Sequence, residues 1–408
     1  MKKILLINVY GGIGGAGQSF LDIVDSIDQT KFRLTVYSPA TPPAMTALLR
    51  KRGIEVITSD KPLPKYVHYS GASVTKLNLL FYIRSLSIIT RGFSELKKII
   101  RQVKPDYVAV NSMTHAWVGP RIGKSIIKIC FVRETYLNTT LNLRTRLLKH
   151  WLVKHFDKVV FISDYDMINT QGLRANQGVV IRDSIKATGD PYDTHEAKEK
   201  LNLNTADRYV LFMGGFDRIK GGDVLMKAMS KIEDGSIKLL FLPVSPPSTS
   251  LLRKIKTLLG LNYEKRIRSL IAKHNLENKI LMYSPQSNMD DFYKAADVVV
   301  FPSKYPHQAR PVFEAGVMRK TIVISRFEAT GEHVKDNYNG LYFAPGDAND
   351  LARCILQVLK DESLRKTLED NNFAEAMKNH NFLNFSKKID AVFNEFYDDT
   401  KCSETINV

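Results

Sequence analysis

Cysteine is scarce in this chain of 408 residues. Cys130, Cys354 and Cys402 are widely separated and fit neither a disulfide framework nor a metal-binding spacing. The opening apolar run, Ile4–Val9, is too short for the core of a secretory signal, and no apolar stretch approaches the length that spans a bilayer. We therefore expect a cytoplasmic protein whose first apolar run is a buried strand.

Acidic residues are few in the first 180 residues, which hold 26 Lys and Arg against 11 Asp and Glu. This excess accounts for most of the net charge of +17, so the rest of the chain is near neutral. The basic residues concentrate in Lys76–Lys104 and Arg144–Lys158, together with aromatic and aliphatic residues. Such segments dock on an anionic membrane surface. A solvated helix face with its apolar side in the core is the alternative interpretation.

The known sequence patterns of nucleic-acid binding are missing as well. The chain has no zinc-finger spacing, no RNP-type aromatic motif and no basic-zipper pattern. We therefore do not expect nucleic acid as a partner, in spite of the positive charge.

Short apolar runs alternate with amphipathic stretches along the whole chain, as in parallel sheets flanked by helices. A polar stretch near residue 190 separates two similar halves. We predict an α/β protein with two Rossmann-like domains whose parallel sheets face each other across a deep cleft. The predicted domains are residues 1–187 and 188–375. In residues 376–408 we expect a C-terminal helix that packs back on the first domain, followed by a frayed tail.

Two segments of the second half carry the strongest functional signal. Gly214–Asp223 and Ala296–Gly316 each run from an apolar strand through a Gly- or Pro-marked loop into a helix. The backbone N–H groups at such a helix start bind phosphate. Two of these loops in one domain predict a diphosphate ligand, and together with the rest of the chain they predict a nucleotide-sugar.

Charged side chains in these segments suit that ligand. Lys220, with Arg218 beside it, can neutralise a phosphate whose charge grows as the bond to the sugar breaks. Pro311 is predicted at the first helical position, which places Glu314 in the first turn, where it can accept hydrogen bonds from ribose or sugar hydroxyls. Arg310 and His307 are loop groups that can face the donor. A structural or merely exposed role is the alternative for His307.

The first half offers a glycine loop at the end of its first strand, Gly11–Gly17, which includes Gly14 and Gly15. It lacks the G-x-G-x-x-G pattern and the acidic residue of nicotinamide-binding domains, and no Gly-Lys-Ser/Thr follows it as in a P-loop. Glycines permit positive φ and close approach to a ligand. We expect this loop near the sugar and diphosphate of the donor, with a purely structural turn as the alternative.

Candidate acceptor-binding residues follow two other predicted strands of the first half. Asn111, Ser112 and His115 come after Tyr107–Val110, and Arg133 and Glu134 come after Ile127–Val132. The carboxyl ends of parallel strands meet at one edge of the sheet, so we expect these polar groups at the edge of the cleft. A structural role is the alternative for His115.

The chain resembles the family 4 retaining glycosyltransferases of GT-B fold. The motifs that carry the resemblance are Gly214–Gly221 (G-x-x-x-x-x-K-G), Ala296–Ser303 (ADVVVFPS), Glu314–Ala315 through Thr321–Val323, Gly331–Val334, Asn339–Asp347 and Asp157–Ser163. The resemblance implies that Lys220 steadies the donor diphosphate and that Glu314 binds the nucleotide ribose. Further donor-binding residues carried over from the motifs are Gly214, Gly215, Ser303 and Glu332. No metal and no cofactor are expected.

The sequence departs from the family pattern at two positions. The first Glu of the E-x7-E pair falls at Pro306, and the Arg that usually follows the first glycine falls at Gly215. Arg218 is a candidate substitute for that Arg. These departures affect how the sugar hydroxyls are held, whereas the diphosphate site is kept.

The resemblance implies a retaining, metal-independent glycosyltransferase that uses a UDP- or GDP-sugar. Its expected acceptor is a glycan or a polyprenyl-diphosphate-linked glycan of cell-surface polysaccharide or glycolipid synthesis, so we expect the protein at the inner face of the cell membrane. Two alternatives stay open. One is a nucleotide-sugar epimerase of the same fold, and the other is a non-catalytic nucleotide-sugar-binding subunit, which the changes at residues 306 and 215 motivate.

Overall fold

The structure is a computed structural model that describes residues 1–59, 62–66, 79–135, 143–186, 194–242, 263–284, 286, 289–306, 308 and 310–397, with backbone only for 79–85, 143 and 144. The chain divides into two compact units. Unit 1 is Met1–Ser184 with Phe382–Val408, and unit 2 is Ile185–Asn381. His307, a predicted donor-facing residue, lies outside the described residues.

Unit 1 is built on a seven-stranded parallel sheet with the strand order β3-β2-β1-β4-β5-β6-β7. Its strands are β1 (Lys2–Ile7), β2 (Phe32–Tyr37), β3 (Glu55–Ile57), β4 (Tyr107–Val110), β5 (Ile127–Val132), β6 (Lys158–Phe161) and β7 (Gly178–Val180). Its helices are α1 (Gly15–Ser26), α2 (Ala44–Lys51), α3 (Leu79–Val103), α4 (Leu143–His155), α5 (Asp164–Ile168), α13 (Phe382–Asn394) and a 3-10 helix, Met113–Arg121.

The strands of unit 1 are apolar on both sides because helices cover both faces of the sheet. In β1, Leu5 and Ile7 belong to the core on one face, and Ile4 and Leu6 belong to the core on the other. All four side chains have no exposed surface. The strand order reverses between β1 and β4, and α/β sheets bind their ligands at such a point, beside the carboxyl ends of the strands.

The last described helix, α13, belongs to unit 1 although the chain reaches it from unit 2. Its apolar side packs into the core of unit 1 through Phe385, Ile389 and Phe393. The Phe393 ring lies 6.1 Å from the ring of Phe32 and 6.5 Å from that of Phe131, both fully buried. Helix α13 therefore completes one face of the unit 1 core.

Unit 2 has a six-stranded parallel sheet with the order β10-β9-β8-β11-β12-β13. Its strands are β8 (Arg208–Phe212), β9 (Ile237–Phe241), β10 (Ile280–Met282), β11 (Val298–Phe301), β12 (Ile322–Ser325) and β13 (Leu341–Phe343). Its helices are α6 (Thr194–Lys200), α7 (Gly222–Met229), α8 (Tyr263–Lys273), α9 (Asp290–Ala295), α10 (Arg310–Val317), α11 (Ala348–Lys360), α12 (Glu362–Asn379) and two 3-10 helices, Arg218–Lys220 and Glu328–Thr330.

The predicted α/β class with two parallel sheets is confirmed. In unit 2 the strand order reverses between β8 and β11, and these are the strands that lead into the two loops singled out in the sequence. The two basic segments coincide largely with α3 and α4. Within the described part of the chain, no helix has the length and apolar character to cross a membrane.

Candidate functional site

Glycines bring the loop after β8 into direct contact with the loop after β11. Gly215 and Gly221 have positive φ, 49° and 73°, a backbone conformation that residues other than glycine rarely adopt. A Cβ atom on Gly221 would lie 1.8 Å from the carbonyl oxygen of Pro302. The backbones of the two loops therefore approach each other as closely as only glycine permits.

Hydrogen bonds join the same two loops. The backbone N–H of Lys304 donates to the carbonyl oxygen of Ile219 at 2.9 Å. The buried hydroxyl of Ser303 donates to the carbonyl oxygen of Tyr305 at 2.7 Å and lies 3.4 Å from that of Ile219. The two sequence segments thus form one structure at the switch point of the unit 2 sheet, and we call them the paired loops (residues 213–222 and 302–306).

Lys220 belongs to the first of the paired loops. Its side chain is half-buried, and its ammonium lies 4.9 Å from the centre of the Phe301 ring. Among the described residues, nothing accepts a hydrogen bond from this ammonium or forms an ion pair with it. Desolvation lowers the pKa of Lys220 to about 8, although Asp217 raises it in part. A desolvated cation without a partner is a binding group for an anion.

Arg218 lies two residues earlier and is exposed. The 3-10 helix that carries both residues begins at Asp217, whose side chain accepts a hydrogen bond from the N–H of Ile219 at 3.0 Å. Gly215, where the family pattern has an Arg, has a left-handed backbone with φ 49°, which favours glycine. Arg218 and Lys220 are therefore the two cations of the first loop that remain for an anionic ligand.

The first turn of α7 contains an ion cluster that the sequence analysis missed. The buried Asp223 accepts hydrogen bonds from Lys304 at 2.7 Å and from the Tyr263 hydroxyl at 2.7 Å, and Arg266 lies 2.9 Å away. Burial raises the pKa of Asp223, but the bonds from Lys304 and Tyr263 and the charges of Lys304 and Arg266 outweigh it, so the net pKa is lowered. No local pattern signals partners 40 and 81 residues away.

Asp223 also changes the expected phosphate site at the start of α7. The N–H of Asp223 donates to the Tyr263 hydroxyl at 2.9 Å, so it is not free to bind a phosphate. The positive charge that remains for a ligand at this point comes from Lys220 and Arg218 more than from the helix start.

On α10, the helix that follows the second loop, Glu314 is held by two neighbours. Its Oε1 accepts a hydrogen bond from Arg310 Nε at 2.7 Å, and its Oε2 accepts one from the Tyr293 hydroxyl at 2.5 Å. The Glu314 side chain keeps 27% of its surface exposed. Helix α10 begins at Arg310. The prediction that Pro311 is the first helical residue is therefore wrong by one position, because Pro311 is the second residue. Pro remains compatible there because the N–H groups of the first turn have no helical partner.

The other predicted donor-binding residues are distributed over both units. Ser303 is buried in the paired loops, and Glu332 is half-buried in the loop after the 3-10 helix Glu328–Thr330. The Nε2 of His333, next to Glu332, lies 2.7 Å from Gln308 Oε1. Gly14 and Gly15 belong to unit 1, at the start of α1.

The glycine loop of unit 1 differs from its prediction in one respect. None of its glycines has positive φ. A Cβ atom on Gly11 would lie 2.2 Å from the Pro42 carbonyl oxygen, and one on Gly17 would lie 2.7 Å from that of Gly12. Close packing of the backbone, and not a left-handed conformation, therefore requires these two glycines.

The predicted acceptor residues meet at the carboxyl ends of β4 and β5. The Ser112 hydroxyl donates to Glu134 Oε1, while the N–H groups of Met113 and Arg133 each donate to Glu134 Oε2 at 3.1 Å. The Arg133 side chain forms an ion pair of 2.5 Å with Asp183, and both side chains are nearly buried. Ser112 and Glu134 thus form one polar group, and Arg133 serves an internal contact.

His115 is 1% exposed, and burial lowers its pKa to about 4. Its Nε2 lies 3.3 Å from the carbonyl oxygen of Leu63, which places the ring proton on Nε2. Its Nδ1 and the nearby Asn111 Oδ1 are buried, and among the residues described neither has a hydrogen-bond partner. At neutral pH His115 is therefore an uncharged imidazole.

Known proteins resemble this chain in sequence. Residues 193–375 match the model of the family described as glycosyl transferases group 1. An uncharacterised glycosyltransferase of Methanocaldococcus jannaschii is 25% identical over 309 residues, 74% of this chain and 79% of the relative. The lipopolysaccharide core biosynthesis mannosyltransferase LpsB of Rhizobium meliloti is 24% identical over 205 residues, 50% of this chain and 56% of the relative.

Two solved structures show the GT-B fold of the chain. HepE of Anabaena, in complex with UDP-glucose, superposes with a TM-score of 0.76 at 18% identity, over 97% of this chain and 100% of that one. Sucrose-phosphate synthase of Thermosynechococcus elongatus superposes with a TM-score of 0.75 at 19% identity, over 98% and 100%. The predicted GT-B fold is thereby confirmed.

The close approach of the paired loops makes Gly221 sensitive to any side chain. We expect Gly221→Ala to lower the free energy of unfolding by more than about 3 kcal/mol, because a methyl group cannot fit against a backbone carbonyl. Gly346→Ala is the matched control, with φ 83° but nothing within 4 Å. It should cost only the conformational term, about 1–2 kcal/mol. Equal costs in urea unfolding would contradict the contact with Pro302.

The lowered pKa of Lys220 means that its charge destabilises the ligand-free protein below about pH 8. The unfolded chain binds this proton more tightly, so the penalty disappears as pH rises from about 8 to 10.5. We expect Lys220→Met to stabilise the free protein at pH 7 by up to about 3 kcal/mol and to lose this advantage near pH 10.5. Urea unfolding at both pH values measures it. Lys227→Met, at an exposed site on α7, should show no such change.

Proposed function

We propose that this protein is a retaining glycosyltransferase that uses a nucleotide-sugar, because residues 193–375 match the model of the glycosyl transferases group 1 family. The observation that carries the proposal is the desolvated ammonium of Lys220, which forms no ion pair among the described residues and lies 4.9 Å from the centre of the Phe301 ring. A diphosphate would supply that counter-charge.

The proposed donor is a UDP- or GDP-sugar. HepE, which has the same fold, was crystallised with UDP-glucose, and LpsB is a mannosyltransferase by name. In the donor complex, Lys220 and Arg218 contact the diphosphate, and the Glu314 carboxylate accepts hydrogen bonds from the ribose. The remaining predicted residues, from Gly214 to Glu332, line the donor around these three.

The proposed reaction breaks the bond between the anomeric carbon and the diphosphate oxygen. Negative charge develops on that oxygen, where Lys220 and Arg218 stabilise it in place of a metal ion. The acceptor hydroxyl attacks from the face that the leaving group departs from, passes its proton to the departing phosphate and gives retention of configuration. No cofactor takes part.

The proposed acceptor is a glycan, free or linked to a polyprenyl diphosphate, that binds at the edge of the unit 1 sheet near Ser112 and Glu134. The hydroxyl and carboxylate of this pair suit hydrogen bonding to sugar hydroxyls. The basic helices α3 and α4 support a position on the anionic inner face of the cell membrane, where such acceptors occur. Cell-surface polysaccharide or glycolipid synthesis is the proposed process.

A non-catalytic nucleotide-sugar-binding protein is the second candidate. Pro306 stands where the family pattern has a sugar-binding Glu, and Gly215 stands where it has an Arg. A protein that binds the donor without transferring the sugar would tolerate both changes. Binding and turnover must therefore be measured separately.

A screen with UDP-, GDP-, ADP- and dTDP-sugars tests the proposal through thermal stabilisation and donor hydrolysis. We expect one donor to stabilise the wild type and to be hydrolysed slowly, and we expect Lys220→Ala to reduce the hydrolysis at least about a hundredfold. Lys227→Ala, on the exposed side of α7, should behave like the wild type. Stabilisation without hydrolysis would favour the non-catalytic candidate. No response to any donor would contradict both.

A further inference from the structure

Tyr293 connects the helix before β11 to the helix after it. It lies on α9, its side chain is 2% exposed, and its hydroxyl donates to Glu314 Oε2 on α10 at 2.5 Å. We propose that Tyr293 is a positioning residue that fixes the Glu314 carboxylate for recognition of the nucleotide ribose. This inference rests on the proposed function of the donor site.

The carboxylate has one contact within its own helix and one from outside it. Arg310 is four residues earlier on α10 and binds Oε1, but both side chains are long and belong to the same helix. A contact of this kind leaves the plane of the carboxylate free to rotate, because each side chain retains several rotatable bonds. Tyr293 comes from a different element, so its bond to Oε2 fixes the second oxygen and with it the plane.

The Tyr293 hydroxyl is a rigid and permanent donor. Its ring packs in the core of unit 2 with Phe292, Val312 and Phe313, which fixes its position. Burial, followed by the charge and the hydrogen bond of Glu314, holds the pKa of Tyr293 well above its usual range. The hydroxyl therefore stays protonated and donates at neutral pH.

The two bonds leave part of the carboxylate available to a ligand. Each carboxylate oxygen can accept two hydrogen bonds, and among the described residues Tyr293 and Arg310 use one on each. The side chain is 27% exposed. Two oxygens held in a fixed plane match two neighbouring hydroxyls, such as the 2′ and 3′ hydroxyls of a ribose. Fixing the plane in the free protein lowers the ordering cost of binding.

Tyr293→Phe removes only the hydroxyl, and the affinity for a ribonucleotide against its dideoxy form reports the effect. The ligands are the nucleoside diphosphate that the wild type binds best and its 2′,3′-dideoxy counterpart, measured by calorimetry. We expect the wild type to prefer the ribonucleotide. In Tyr293→Phe the affinity for the ribonucleotide should fall about tenfold, because a charge-assisted bond that orients the acceptor is lost. The affinity for the dideoxy form should not change.

Tyr283→Phe is the matched control. Tyr283 is in the same unit and its ring lies 4.8 Å from that of Phe292, whereas the two side chains that donate to Glu314 are Tyr293 and Arg310. This variant should keep the preference of the wild type. Glu314→Gln should lose the preference as Tyr293→Phe does, and in turnover both should raise the donor KM more than they lower kcat.

The outcomes distinguish a failure of the proposed function from a failure of the positioning role of Tyr293. A wild type that binds no nucleotide would overturn the proposed function, and this inference with it. Wild-type binding without a preference for the ribonucleotide would overturn the role of Glu314 and therefore that of Tyr293. A normal preference in Tyr293→Phe, or an equal loss for both ligands, would overturn the positioning role alone.

Discussion

The positive charge of Lys220 is the constraint on which the arrangement of unit 2 depends. Transfer of an ammonium from water to a partly buried site is unfavourable unless a negative group accompanies it. Here the side chain lies against the Phe301 ring, Asp217 raises its pKa only in part, and the pKa settles at about 8. The desolvated ammonium therefore lowers the stability of the free protein, and a bound anion would remove this penalty. The paired loops, with Gly221 against Pro302, hold the ammonium in that position.

Around this cation the other charges of the site are already compensated. Asp223 is surrounded by Lys304, Arg266 and Tyr263, and Glu314 is held by Arg310 and Tyr293. These contacts order the side chains before any ligand arrives. Lys220 and Arg218 differ from these paired side chains, because neither forms an ion pair among the described residues. An anionic ligand would therefore interact with two cations in a site whose other charged side chains are already paired.

Local sequence patterns predicted the strands and the loops well. The bounds of β4 and β5 agree with the prediction to the residue, since each is a short apolar run that ends at polar residues. Helix bounds were less accurate. Pro311, predicted at the first helical position, is the second residue of α10, which begins at Arg310. The patterns could not reveal the contact of Tyr293 with Glu314 or the partners of Asp223, because hydrogen bonds between distant elements leave no periodic signal.

The most direct test of this account is the pKa of the Lys220 ammonium, measured by NMR on protein with labelled lysine side chains. The account predicts a pKa of about 8 in the free protein and a rise when a nucleoside diphosphate is added, because the bound anion favours the charged form. A pKa near the ordinary 10.5 in the free protein, unchanged by any nucleotide, would contradict it. Lysines at exposed positions, such as Lys227, provide the reference within the same spectrum.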